Sequence, residues 1–443
     1  MGNWKQGWRL GAVAAGLSGA AATLIVGATE AAQTVTGPIA RYDMRAGTTS
    51  GMAAMAGAGG QGGGMGGGMG GGMAMMFGGG NRGGPVHDLT LELGSNEAST
   101  GGAPRGDHFM PAGAKLGQSV PLETPEKVAA PTSSAPENPQ QHEFRRPQGR
   151  MLIFWGCGEH SPVGQPVVID FAKMAAGEMP QGLFASSVQI DRWVREGSSR
   201  TYGHWPNSRD HKALSSDSSL LGAHRVAANY APEMAFTLQK DFMAPLSVST
   251  SALPSGAVQL QWAGLDGATG YYASLIGAKG GGRGRGADNA PQDLVWWTSS
   301  ASREFGGGLQ DWLSPGTVAR LVEAHTVMAP QTTVCTIPAE VHAAAPGFMM
   351  TTMIGYGPEE RFAYPPRPAD PRVPWHIAWE ARIRHRSITS FIPGMPAMGG
   401  APQQQGQQQG QQQPCQPKKK RGFGGIGGLI GGVVGDRSNN DGC

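Results

Sequence analysis

The sequence predicts an all-β protein, two β-sandwich-like domains interrupted by long low-complexity segments, and three observations carry that expectation. Apolar and polar residues alternate over 86–93, 258–262, 348–356 and 375–383, the period of half-buried strands. A continuous apolar run, Met151-Leu152-Ile153-Phe154-Trp155, is entered from Arg145-Arg146 and ended by Gly156 and Gly158, the pattern of a strand buried on both faces. Between such stretches lie segments of very few residue types: Gly and Met over 51–84, Pro, Ser and Ala over 129–141, and Gln over 401–417. The Gly/Met-rich stretch holds too little apolar surface to offset the entropy of ordering its backbone, so it and the Gln-rich stretch read as disordered and 129–141 as a linker.

In chain order, the first element is a leader. Lys5 and Arg9 precede an apolar, small-residue run over 10–28, and Ala31 and Ala32 offer a processing site, so residues 1–32 read as a cleavable signal peptide. Gly, Ser and Thr dilute the run below the hydrophobicity of a membrane span, although an uncleaved anchor is the alternative. The expected address is therefore outside the cytoplasm: periplasm, outer membrane-associated or extracellular. A chain of 443 residues suits two or three domains. Its net charge of +3, or +2 once Lys5, Arg9 and Glu30 are removed, argues against nucleic acid as a partner, because a polyanion binder carries a clustered basic face.

Residues 33–243 form an expected N-terminal β-domain with the Gly/Met-rich stretch 51–84 as an insertion. Its strands are 86–93, where Leu89, Leu91 and Leu93 alternate with Thr90 and Glu92, then 151–157, 167–171 and 188–194. Residues 202–212, with Trp205-Pro206-Asn207, read as a turn-rich loop.

Over 244–338, Leu260-Gln261-Trp262 followed by Asp266-Gly267-Ala268-Thr269-Gly270-Tyr271-Tyr272 resembles the second and third strands of a fibronectin type III-like sandwich. The resemblance implies that Trp262 packs across a core and that the Gly-Ala-x-x-Tyr turn leads into a third strand continued by Tyr272, Ser274 and Ile276. Leu313-Ser314-Pro315-Gly316-Thr317 resembles that family's approach to its tyrosine corner, but Ala319 stands where the corner Tyr would be. A short amphipathic helix fits this stretch better, with Ser314 as N-cap, Pro315 at the first helical position and Val318, Leu321, Val322 and His325 at helical spacing. Residues 332–337 then return as a strand.

The segment 339–393 supplies C-terminal strands that pack on the preceding domains. Trp375, Ile377, Trp379, Ala381 and Ile383 alternate, and the other face carries His376, Glu380, Arg382, Arg384 and Arg386, which reads as a solvated row. His376, Arg382, Arg384 and Arg386 are the candidate binding face for an acidic partner such as an envelope glycan or lipid.

Four cysteines in an exported chain allow three pairings. Cys157 with Cys335, both in strand-like segments, and Cys415 with Cys443, both in the tail, are the expected bridges, with Cys157 as an unbridged buried residue the alternative. Gly156-Cys157-Gly158-Glu159-His160 places a thiol, a carboxylate and an imidazole together, but catalytic or metal sites seldom draw all three from one tight turn. His87-Asp88, Asp107-His108 and Asp210-His211 are local pairs that serve acid–base or metal chemistry only where the fold gathers them. Glu359 and Glu360, adjacent after Pro358, point to opposite strand faces and do not make a carboxylate pair. Seven methionines between Met52 and Met76 offer soft ligands for Cu(I), against a plain Gly-rich loop.

In the tail, residues 394–443, the cluster Lys418, Lys419, Lys420 and Arg421 precedes a Gly-rich apolar stretch in which Gly424, Gly428 and Gly432 form one ridge. It resembles the glycine-zipper segments of envelope proteins and implies peripheral membrane association; a disordered Gly-rich tail is the equal alternative. No cofactor is expected. The expected function is that of an exported structural or binding protein whose partner is an envelope glycan, a lipid or another envelope protein. The other class is a secreted hydrolase or copper-binding protein, its site assembled from distant His, Asp and Glu or from the Met-rich stretch.

Overall fold

Period-two patterning resolves into eighteen strands in a computed structural model that describes residues 33–57, 84–125, 149–178, 188, 194–279, 293–304 and 307–394. The strands are β1 (Val35–Thr36), β2 (Ala40–Ser50), β3 (Val86–Ser95), β4 (Gly106–Phe109), β5 (Ser119–Pro121), β6 (Arg150–Trp155), β7 (Val167–Asp170), β8 (Thr201–Trp205) and β9 (Gly222–Ala228). They continue as β10 (Ala231–Leu238), β11 (Val248–Ala252), β12 (Val258–Trp262), β13 (Gly270–Lys279), β14 (Asp293–Thr298), β15 (Val334–Ile337), β16 (Phe348–Tyr364), β17 (Trp375–His376) and β18 (Trp379–Phe391). Four short helices accompany them: α1 (Gly51–Gly57), α2 (Phe171–Ala175), α3 (Pro315–Glu323) and α4 (Ala339–Ala344). The protein is all-β.

One mixed sheet of nine strands, in the order β7-β6-β14-β13-β16-β18-β2-β3-β8, spans the fold, and two smaller sheets, β10-β9-β4-β5 and β11-β12-β15, pack on it. Tyr42, Met44, Leu91, Leu93, Ala381 and Ile383 from the large sheet meet Val226, Met234 and Phe236 of the four-stranded sheet and close a first core around Trp205. Tyr271, Leu275, Val295 and Trp297 meet Val248, Leu260, Trp262 and Ile337 of the three-stranded sheet in a second core. Both cores lie on the same face, since Thr389 shares the face of Ile383 and pairs with Met353 of the second core. Each fully buried large aliphatic or aromatic side chain contributes about 1.5–3 kcal/mol.

Strands from 33–243, 244–338 and 339–393 interleave in the large sheet. β6 lies parallel to β14, and β2 lies parallel to β18. Two sandwich cores therefore share one sheet. Trp262 is buried and meets Tyr271 edge-on, with ring centroids 5.5 Å apart. Gly277 in β13 has a packing reason: a Cβ there would lie 2.6 Å from the Ala345 Cβ.

On the opposite face a third cluster joins Tyr272, Ile354 and Tyr356 to Leu309, Leu313, Val318 and Val327. The helix expected at 314–325 is present as α3 but ends at Glu323, leaving His325 beyond it at φ +56°; the Ser314 hydroxyl accepts from the Thr317 N–H at 3.2 Å and Pro315 is in the first turn. Val318 is its buried residue, and Leu321 and Val322 pack beside it.

Several expectations change. Residues 202–205 are not loop but most of β8, because Trp205 fills the first core and the strand pairs with β3; the turn starts only at Pro206 and Asn207, whose side-chain oxygen accepts from the Arg209 and Asp210 N–H groups. Residues 51–57 of the Gly/Met-rich stretch are helical, and residues 58–83 lie outside the described residues. Phe171 is the start of α2 rather than the end of a strand, since Asp170 caps it from the Ala172 and Lys173 N–H groups. Most of the strand expected at 188–194, the leader 1–32, the linker 129–141 and the tail from 395 onward also lie outside the described residues.

Candidate functional site

The basic row on β18 is not a wet face. Arg382 is 1% exposed and Arg384 3% exposed, because β18 sits between β16 and β2 in the middle of the large sheet while residues 307–327 lie over part of this side. Arg382 donates from Nε and Nη2 to the two carboxylate oxygens of Asp43 at 2.8 and 2.6 Å, a two-pronged pairing that guanidinium geometry favours. Arg384 donates to Glu359 and, at 2.6 Å, to the Trp312 carbonyl. Arg386 donates to the Gln310 carbonyl at 3.0 Å and lies 4.1 Å from the Trp312 ring centroid, with burial lowering its pKa. Beside them Arg45 pairs with Glu92 at 2.6 Å, and Glu92 also accepts from the Tyr202 hydroxyl. Period two separates the two faces of a strand but says nothing of what covers each.

Of the four residues in the candidate binding face, His376 alone is exposed, hydrogen-bonded through Nδ1 to the Thr36 hydroxyl at 2.6 Å. It lies at one end of the fold, where the long β16–β18 hairpin makes its connection, 365–378. That connection returns against the N-terminal segment, β1 lying parallel to β17 with Val35 opposite Trp375. The Trp375 and Ile377 N–H groups donate to the Thr34 and Thr36 carbonyls, each at 2.8 Å, and Ile39 donates to Ala378 at 3.0 Å. Gly37, at φ +90°, permits the crossing, since a Cβ there would stand 2.1 Å from the Ile377 oxygen. Gln33 donates to the Val373 carbonyl at 2.9 Å, and Trp375 donates from Nε1 to the Pro365 carbonyl at 2.8 Å.

This tip gathers apolar side chains in water. Val35, Ile39, Tyr364 and Val373 are four of the nine large hydrophobic residues left exposed among the described residues, and Tyr364, 56% exposed, stacks on Trp379 with centroids 6.1 Å apart. Single exposed apolar residues are ordinary, but a group of them marks an interaction surface. Arg367 donates to Gln33 Oε1 at 2.8 Å with its guanidinium 5.7 Å from the Trp375 ring, and Arg372 pairs with Asp370. No single sequence motif marks the tip; the Pro-rich stretch 365–374 is the signal that an exposed, extended connection lies there.

The other candidates separate. Cys157 and Cys335 are joined in a disulfide, with Cα atoms 5.2 Å apart, which ties the turn after β6 to β15 of the three-stranded sheet. The Cys157 sulfur is thereby no nucleophile. His160 pairs with Glu340 at 3.0 Å, and the Ser161 N–H, more than His160, holds the Glu340 carboxyl below its usual range. Glu359 and Glu360 point to opposite faces, the first to Arg384 and the second to the Gln239 and Lys240 N–H groups. Cys415, Cys443, Gly424, Gly428, Gly432, Lys418, Lys419 and Lys420 lie outside the described residues, as do the methionines from Met65 to Met76.

Two histidines from distant segments do meet. His224 Nε2 lies 2.7 Å from the Leu220 carbonyl, so it donates, which leaves His224 Nδ1 to accept from His108 Nε2 at 2.9 Å. His108 Nδ1 must then accept from the Tyr42 hydroxyl. The chain of bonds has one direction and no net charge, which agrees with burial, aided by His224, pushing the His108 pKa far down and burial raising that of Tyr42. It links β2, β4 and β9 inside the first core. Among the described residues no group of three or more His, Cys, Asp or Glu side chains is placed to hold a metal ion, and no helix is long and apolar enough to cross a membrane. Compared with known proteins, the chain matches no family model, no curated protein and no solved structure.

Proposed function

We propose that this is an exported protein of the cell envelope or extracellular space that works by binding, with the tip at 33–39 and 364–376 as its docking surface. The observation that carries the reading is the exposure of Val35, Ile39, Tyr364 and Val373 on two paired segments that also carry Arg367 and Arg372. The partner is an envelope component: a glycan, a lipid or another envelope protein. The leader over 1–32 supports export, and the disulfide fits an oxidising compartment.

The same reading includes a fibronectin type III-like sandwich, and what supports it is strand order. Counting from β11 and leaving out the two-residue β17, which pairs with β1 instead, the first, second and fifth strands pair as β11-β12-β15, while the third, sixth and seventh are neighbours as β13-β16-β18, the division of an immunoglobulin-like sandwich. The fourth, β14, sits beside the third. On this reading the domain extends beyond 338 to β18, α3 is an insertion, and the tip is the connection between its last two strands.

The test is co-sedimentation of the full exported chain with the envelope fraction of cells that produce it. The double variant Tyr364→Ser, Val373→Ser should bind at least tenfold more weakly while keeping the parent's unfolding midpoint. Undiminished binding by that variant would overturn the assignment of the tip.

A further inference from the structure

We infer that the tip docks on a lipid bilayer whose headgroups are anionic, an inference that rests on the binding reading above and names its partner. The first ground is composition. The two segments that build the tip, 33–39 and 364–376, carry Arg367 and Arg372 against one acidic residue, Asp370, which pairs with Arg372, and Arg41 and Arg361 follow directly behind them on β2 and β16. Glu380 and Glu359, the nearest acids on β18 and β16, are bonded to Arg41 and to Arg361 and Arg384. Aliphatic Val35, Ile39 and Val373, on the same two segments as Arg367, Arg372, Tyr364 and Trp375, are the side chains that suit the boundary between headgroups and acyl chains. Arg367 is held by the neutral side chain of Gln33, and an anionic headgroup supplies the charge that complements it.

The second ground is where the chain enters. Gln33 is bonded into the tip through Val373 and Arg367, and the apolar run 10–28 stands only a few residues upstream in the sequence. The tip is therefore the part of the fold that follows the leader directly, the part nearest the bilayer as an exported chain emerges from it. Third, the tip offers its apolar side chains without exposing a long hydrogen-bonding edge: the connection contains Pro365, Pro366, Pro368, Pro371 and Pro374, which have no N–H to donate, so strand addition by a partner protein has little to pair with.

The experiment is flotation of the purified exported chain with vesicles of phosphatidylcholine alone and of phosphatidylcholine with phosphatidylglycerol. The parent should float with the phosphatidylglycerol vesicles only, and less as salt rises. Arg367→Gln with Arg372→Gln should weaken partitioning by roughly fivefold per arginine, and Arg367→Lys with Arg372→Lys should restore it, since the surface reads charge rather than guanidinium geometry. Tyr364→Ser with Val373→Ser should reduce flotation at least tenfold, and Tyr364→Phe should keep it. Failure of the parent to float with anionic vesicles overturns the inference. So does flotation that survives both tip variants and disappears when residues 414–443 are deleted, because the tail is then the membrane contact. If the parent ignores vesicles yet envelope co-sedimentation still depends on Tyr364 and Val373, the lipid is wrong and the binding reading stands. If neither assay depends on these residues, both fall.

Discussion

Replacing Asp43 with leucine strips the charge that compensates Arg382 at the centre of the sheet. Both side chains are at most 3% exposed, and the carboxylate receives two charge-assisted bonds at 2.8 and 2.6 Å. Water cannot reach the guanidinium to replace the lost partner, so the change should destabilise the fold by about 3–5 kcal/mol. Arg382→Met leaves the Asp43 carboxylate buried with nothing to neutralise it and should cost about the same. Asp43→Leu combined with Arg382→Met removes both charges, and its cost should be within about 1–2 kcal/mol of the parent, far below the sum of the singles. Guanidinium unfolding followed by tryptophan fluorescence measures all four proteins. A coupling of several kcal/mol is expected. Singles below about 1 kcal/mol, or a double variant equal to their sum, would refute the claim that this face is dry and the pair obligatory.

Three further outcomes follow from the same fold. Cys157→Ser, or reduction of the parent, should lower stability by up to about 5 kcal/mol, because the bridge closes a loop of sequence separation 178 and loop-closure entropy is restored to the unfolded chain; an unchanged unfolding midpoint in dithiothreitol would deny the bridge. Burial holds His108 and His224 below their ordinary value of 6.5, so the unfolded chain binds more protons than the folded one and stability should fall as pH drops below about 6.5, at up to about 1.4 kcal/mol per pH unit for each histidine. Substituting both with Gln should flatten that slope in pH-dependent unfolding, leaving the smaller share from His87 and His385, which burial also lowers. Ser314→Ala should cost about 1 kcal/mol by uncapping α3, read as a shift in unfolding midpoint, while Ser314→Asp should not.

How far the fold was legible depends on what a local pattern carries. Leu89, Leu91 and Leu93 announce β3, and Ser314-Pro315 announces α3, because period and capping are properties of a few neighbouring residues. β2 escapes notice although Ala40, Tyr42, Met44 and Ala46 alternate, since Arg41, Asp43 and Arg45 between them read as surface, whereas Asp43 is buried, Arg45 is largely covered and Arg41 alone stays exposed. β8 was hidden by Pro206 and Asn207, which mark its end rather than its whole length. His108 and His224 stand 116 positions apart, and nothing in either neighbourhood points to the other.

The amino-acid order by itself therefore determined the class of the fold, the cap of α3 and the opposite faces of Glu359 and Glu360, each a matter of local period or residue chemistry, while it left a Cys157–Cys335 bridge as one of two readings. The tertiary structure decided the rest. It joined strands of three segments into one sheet, which placed Arg382 and Arg384 under cover and turned an expected binding face into buried ion pairs. It also folded Val35 and Ile39 against a connection more than three hundred residues later, which made a surface of Val35, Ile39, Tyr364 and Val373. Burial is set by what packs on a strand from elsewhere in the chain, and alternation along the strand carries no record of it.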